Sequence, residues 1–176
     1  MREYFDRILN EVSQALNQVN EVEFDGLCQS LLAARKIFVT GQGRSGFVAR
    51  AFAMRLMHLG LDSRFTGETT TPRIGIDDLL VAVSRSGERQ VTCSHLKTAK
   101  QAGAGAVVVT GHKEATAASL GSFTIVLDPD EIQTQQVGGS LFEQAALVYL
   151  DAVAAALQDK LGQSNQDMMA RHANLE

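Results

Sequence analysis

Ile37-Phe38-Val39-Thr40-Gly41-Gln42-Gly43-Arg44-Ser45-Gly46 decides the fold. A β-branched and aromatic run ends on a glycine, and a glycine-rich turn follows it at once. The next residues, about 45–60, continue with apolar side chains at helical spacing. Strand, tight turn and helix together open a βαβ unit. Three further runs read the same way: Leu79-Leu80-Val81-Ala82-Val83-Ser84, Ala106-Val107-Val108-Val109-Thr110-Gly111 and Phe123-Thr124-Ile125-Val126-Leu127. Ser63-Arg64-Phe65-Thr66-Gly67 is a weaker strand. These runs are continuously apolar rather than alternating, which is how strands covered on both faces look. Helical patterns fall between them, near 88–102 and 113–120, and a long one at about 140–160 follows the last. The expected fold class is therefore α/β, a three-layer, doubly wound, five-stranded parallel sheet flanked by helices. Ahead of the first strand, residues 2–19 and 24–34 read as two helices, the first strongly amphipathic.

Composition narrows the function classes. The chain has 176 residues, which predicts one domain with a real core. Its net charge is −4 and it has no Lys/Arg run, so a nucleic-acid partner is not expected. Cys28 and Cys93 form no CxxC pair and read as buried small hydrophobes, not as a disulfide framework or zinc site. No stretch reads as a signal peptide or a membrane span, so no membrane partner and a cytoplasmic enzyme are expected.

In an open parallel sheet, ligands bind beyond the carboxyl ends of the strands. The segments to inspect are 41–46, 67–72, 84–89, 110–112 and 128–139. The first fits the dinucleotide pattern G-x-G-x-x-G, with Glu68 22 residues past Gly46 (68 − 46), near where a ribose-binding acid belongs. The bland alternative is a tight turn that needs glycine. Ser84-Arg85-Ser86-Gly87-Glu88-Arg89 changes the balance. Serine hydroxyls and helix-start N–H groups make an anion cradle, and a dinucleotide fold needs no second phosphate loop there.

Together, G-x-G-x-S-G after the first strand and S-x-S-G-E after the third resemble the sugar isomerase (SIS) domain of phosphosugar isomerases. Within that group the chain resembles the 6-phospho-3-hexuloisomerase family. Gly67-Glu68-Thr69-Thr70-Thr71-Pro72, Gly139-Ser140-Leu141-Phe142-Glu143-Gln144 and Arg171-His172-Ala173-Asn174-Leu175-Glu176 add to the likeness. The resemblance covers nearly the whole chain as a single SIS domain, residues 1–176. It implies flavodoxin-like strand order and interconversion of D-arabino-3-hexulose 6-phosphate with fructose 6-phosphate, the step after formaldehyde fixation in the ribulose monophosphate pathway. It further implies a small sugar phosphate as ligand, no metal or organic cofactor, a homotetramer, and functional coupling to a hexulose-phosphate synthase. The N-terminal helices (about 1–35) and the C-terminal tail (about 162–176) are expected in contacts between subunits. One departure stands out. Where the family commonly has Gly and Thr, giving S-G-S-G-E-T, this chain has Arg85 and Arg89. Arg89 can supply charge in place of the threonine hydroxyl, since guanidinium suits phosphate, or equally point to solvent from the helix.

The reaction needs a base over the sugar carbons and donors for an enediolate. Glu143 is the first candidate, at the start of the long helix where SIS isomerases place a catalytic glutamate. Ser140-x-x-Glu143 is equally a capping box. His172 is the second candidate: either a solvated tail residue or, as the resemblance implies, a group packed into a neighbouring subunit's site. The substrate-binding set is Gly43, Arg44, Ser45, Glu68, Ser84, Ser86, Gly87 and Arg89. For Arg44 and Glu68 the alternatives are a surface arginine and a solvated loop carboxylate. His58 and His95 read as structural, and His112 stands at the right sheet edge without a motif. No His/Asp/Glu spacing suggests a metal. Competing readings are another phosphosugar isomerase of the arabinose 5-phosphate type, a non-catalytic sugar-phosphate sensor, and, weakest, a nucleotide-binding oxidoreductase.

Overall fold

The apolar runs pair side by side. In the computed structural model, which describes residues 1–127 and 132–175, β1 (Ile37–Gly41), β2 (Ser63–Phe65), β3 (Leu79–Val83), β4 (Gly105–Thr110) and β5 (Phe123–Val126) form one sheet in the order β2-β1-β3-β4-β5. All pairings are parallel. The central pair runs in register from Ile37 opposite Leu79 to Gly41 opposite Val83, so the loops after β1 and β3 leave the sheet side by side. Every residue of β1 and β3 is buried, as expected for strands covered twice.

Strand alternation divides the core in two. Ile37, Val39, Val81, Val83, Val107 and Ile125 face α1 (Arg2–Leu16), α2 (Glu21–Ala33), α3 (Gly43–His58) and α6 (Ser140–Leu161). Phe38, Leu80, Ala82, Ala106 and Val108 face α4 (Gln90–Gln101) and α5 (Thr116–Leu120). The second layer is thinner because the crossing from β2 to β3, residues 66–78, contains no helix. That crossing is pinned at its end by buried Asp78, which pairs with Arg35 at 2.9 Å and accepts from the Gly75 N–H.

Among the described residues, α6 is the one helix long and apolar enough to span a membrane, but half of that window is buried inside the fold. Phe142, Ala145, Ala146, Leu150 and Val153 pack it into the larger core. It stops at Gly162 in the left-handed conformation, where the N–H groups of Gly162 and Gln163 satisfy the last carbonyls.

Two features depart from expectation. The first helix ends at Leu16, not near 19, and the Asn20 side chain opens the next by accepting from Val22 N–H. The segment beyond Gly162 is not a plain tail: Asn165–Ala170 is a short helix, α7, started by a true capping box between Ser164 and Asp167. Residues 128–131 of the expected ligand edge, and Glu176, lie outside the described residues.

Candidate active site

The turn after β1 is tight because Gly41 and Gly46 touch. A Cβ on Gly46 would lie 2.7 Å from the Gly41 carbonyl oxygen, so no side chain fits and α3 starts directly against the strand. That packing role explains the glycine pattern without a dinucleotide. The turn after β3 closes on Gly87, whose φ of +62° and 2.4 Å approach of a would-be Cβ to Ala115 both demand glycine. Glu88, next in sequence, does not line the cavity between the two turns. Its two carboxylate oxygens accept from Thr116 N–H and Oγ1 at 2.7 Å each, capping α5. Those bonds hold its pKa below the usual carboxylate value.

Between the two turns lies a cavity of about 260 Å³ lined by Gln42, Gly43, Arg44, Ser45, Ser84, Arg85, Ser86, Arg89, Gly139 and Glu143. A more open groove continues from it over Gln42, Gly43, Glu88, Arg89, Gln90 and Val91. The cavity brings together three guanidinium-bearing residues, three serines and one carboxylate. Ser45 and Ser84 are buried, Ser86 half-buried and Arg89 exposed at the N-cap of α4. Serine hydroxyls, arginines and the starts of α3 and α4 suit a phosphate. The single carboxylate suits proton transfer.

Glu143 sits in the first turn of α6, and its Oε2 accepts from Arg44 Nε at 2.6 Å. The glutamate side chain is 13% exposed and the arginine 65%, so the acid lies inside and its partner stands at the mouth. The capping-box alternative does not hold. Gly139 is the N-cap, no side chain caps α6, and Ser140 Oγ donates to the Val137 carbonyl instead. Arg44 likewise is no idle surface arginine.

Of the residues expected from the sequence, the structure thus gathers Gly43, Arg44, Ser45, Ser84, Ser86, Arg89 and Glu143, with Gly87 shaping the loop beneath them. It adds Gln42, Arg85 and Gly139. Gly139 carried a legible signal: a Cβ there would approach Arg85 Cδ at 3.0 Å and Glu143 Oε1 at 3.3 Å, so the motif's glycine makes room for both.

Two expected residues are elsewhere. Glu68 pairs with Arg50, whose guanidinium lies 3.7 Å from the centre of the Phe65 ring. It lines a separate cavity of about 430 Å³ beneath the β2–β3 crossing. His172 stacks on buried His58 with ring centres 5.1 Å apart. His58 ends α3, whose 16 residues span about 24 Å at 1.5 Å each, so His172 sits at the opposite end of that helix from Gly43. Arg171 fastens the tail there, donating to the His58 carbonyl at 3.1 Å and to Gln163 Oε1 at 2.9 Å. His112 follows β4 but does not line the cavity; its N–H donates to Thr110 Oγ1. Among the described residues no group of three or more His, Cys, Asp or Glu is placed to hold a metal ion.

Comparison with known proteins agrees with this geometry. The SIS domain family matches residues 30–155. The 3-hexulose-6-phosphate isomerase of Bacillus subtilis is 35% identical, over 99% of this chain and 98% of its own length. The enzyme of the same name from Methanocaldococcus jannaschii is 36% identical over 87% and 84%. A solved Methanococcus jannaschii structure, for which a 3-hexulose-6-phosphate isomerase function has been inferred, superposes with a TM-score of 0.89 at 34% identity, over 99% of both chains. The shared parallel sheet, the two serine- and glycine-bearing turns and these full-length likenesses have one reading: the chain belongs to the SIS domain family.

Proposed function

We propose that this chain is a 3-hexulose-6-phosphate isomerase, interconverting D-arabino-3-hexulose 6-phosphate and fructose 6-phosphate. The observation that carries the reading is the Glu143 carboxylate, shielded and bonded to Arg44, facing a cavity otherwise lined with serines and arginines. Full-length similarity to enzymes of that name selects this substrate over a shorter aldose phosphate. An intact carboxylate argues against a pure sensor.

The phosphate lies between Ser84, Ser86 and the start of α4, with Arg85 and Arg89 supplying charge. This fixes the sugar chain so that C2 and C3 reach Glu143. Glu143 takes the C2 proton, the C2–H electron pair forms the C2=C3 bond, and the C3 carbonyl oxygen becomes the enediolate oxygen. Glu143 returns the proton to C3 while the C2 hydroxyl proton passes to the C3 oxygen, so that C2 becomes the carbonyl and C3 the alcohol. In this step negative charge leaves the carboxylate and appears on the sugar oxygens. Arg44, bonded to the carboxylate at the start, stands where it can follow that charge. Ser45 and the N–H groups opening α3 hold the hydroxyls.

His172 and Glu68 enter this scheme only across a contact between copies. The chain works as a homotetramer whose tail, residues 162–176, and N-terminal helices make such contacts, and residues 1–176 act as one unit. It acts in the cytosol without a metal or organic cofactor, next to the synthase that supplies its substrate. Exposed Tyr4, Phe5 and Leu9 on α1 support an assembly.

The test is a coupled assay. Hexulose 6-phosphate is generated in place from ribulose 5-phosphate, formaldehyde and a separate synthase, and fructose 6-phosphate is read through glucose-phosphate isomerase and an NADP-linked dehydrogenase. Turnover by wild type, abolished in Glu143→Gln, is expected. A folded wild type that turns over arabinose 5-phosphate but not hexulose 6-phosphate would overturn the substrate. Turnover of neither, with phosphosugar still bound, would leave a sensor.

A further inference from the structure

Thr40 is buried at the end of β1, one residue before the first turn. Its Oγ1 lies 2.8 Å from Nδ1 of His95, on α4. Among the described residues this is the one polar side-chain bond between α4 and the sheet. Against the sheet that helix also buries Cys93, Leu96 and Ala99, apolar groups whose contacts carry no hydrogen-bond direction. The position of α4 matters, because its N-cap is Arg89 and Ser86, Gly87 and Glu88 lead directly into it. The β2–β3 crossing brings no helix to brace α4 from the side. It leaves instead the cavity of about 430 Å³ that His95 lines together with Phe38, Leu80 and Thr98.

We infer that His95 is a positioning residue: through Thr40 it ties α4 to β1 and sets where Arg89 and Ser86 stand for the substrate's phosphate. The inference deepens the phosphosugar reading and rests on it. One bond therefore connects both turns from below, Gly41–Gly46 through Thr40 and Ser84–Arg89 through α4. Burial lowers the His95 pKa, favouring the neutral ring at neutral pH.

The experiment compares His95→Ala, His95→Asn and Thr40→Val in the coupled assay, with fructose 6-phosphate and inorganic phosphate titrated calorimetrically. His95→Ala and Thr40→Val are each expected to raise KM and both dissociation constants about tenfold, the equivalent of one good hydrogen bond, with kcat within about twofold. His95→Asn, whose amide reaches the place of Nδ1, restores affinity. The Ala/Val double variant is no worse than either single, and in an Arg89→Ala background His95→Ala costs less than it does in wild type, the remainder acting through Ser86. Unchanged affinities in folded single variants, additive losses, or a loss confined to kcat would each overturn the inference. Where His95→Ala fails to fold, the near-isosteric Thr40→Val decides. If wild type binds phosphate but does not isomerise hexulose 6-phosphate, the proposed reaction fails, and the phosphate affinities alone judge the positioning role.

Discussion

The turns after β1 and β3 stand side by side and carry opposite chemistry, the first leading into its helix after one residue and the second after six. Each leaves a central strand, closes on a glycine that admits no side chain, and starts a helix. The first sends Arg44 across to Glu143, 99 residues away, and thereby holds the proposed acid–base group. The second ties its glutamate, Glu88, to Thr116 at the start of α5 and gives the cavity itself only serines and arginines. Adjacent strands set the turns side by side, so in the proposed reaction one grips the phosphate end of the substrate while the other faces the reacting carbons. The division of labour follows from which carboxylate is turned inward.

The sharpest way to break that division is Glu143→Gln. It keeps size and polarity but removes the base, so kcat should fall about a thousandfold while fructose 6-phosphate binding, measured by calorimetry, changes little. If binding collapsed and kcat survived, the roles of the two turns would be reversed. Paired Ser84→Ala and Ser86→Ala changes should act on the other side. About tenfold on KM and little on kcat is expected in steady-state assays, since each removes a donor to a charged group. Arg44→Lys should fall between them. The ammonium keeps the charge but loses the planar fork, and kcat should drop roughly tenfold with KM nearly held.

The smallest effect concerns stability. Glu11 on α1 is buried, which pushes its carboxyl pKa up. Hydrogen bonds from Thr134, Gln136 and the Gln135 N–H, with the charge of Arg7, more than reverse this and leave it below its ordinary 4.5. A lowered folded pKa means stability that is present above pH 4.5 and lost as pH falls through the folded value. Thermal melts from pH 6 down to about 3 should show wild type losing more than Glu11→Gln. Parallel curves would show that the segment leading to Gly139 does not depend on that anchor.

Much of this arrangement was legible in the residues themselves. Continuous apolar runs identified the central strands because a parallel sheet buries both faces, and the glycine turns identified the ligand edge. Ser140-x-x-Glu143 was ambiguous for a physical reason. A capping box and a glutamate turned toward a ligand edge share the same local pattern, and the partner that draws Glu143 away from the cap, Arg44, is remote in sequence. α7 escaped notice because none of its residues is buried, so it has no apolar period; only Ser164 and Asp167 mark it. His172 was singled out by its motif, but a motif carries no address. Its place on His58 depends on how far α3 runs and on Arg171 reaching the end of that helix. The Thr40–His95 bond left no trace at all, because two polar residues inside apolar patterns read as packing.

Glu88 makes α5 an internal reporter. The amide of Thr116 is protected by a carboxylate that belongs to the turn after β3, not by its own helix. Its exchange with solvent deuterium therefore measures how often that turn opens. A ligand that stills the turn should slow exchange at Thr116 without touching α5, so occupancy of the cavity can be followed from outside it, in a protein with no tryptophan to serve as an optical probe.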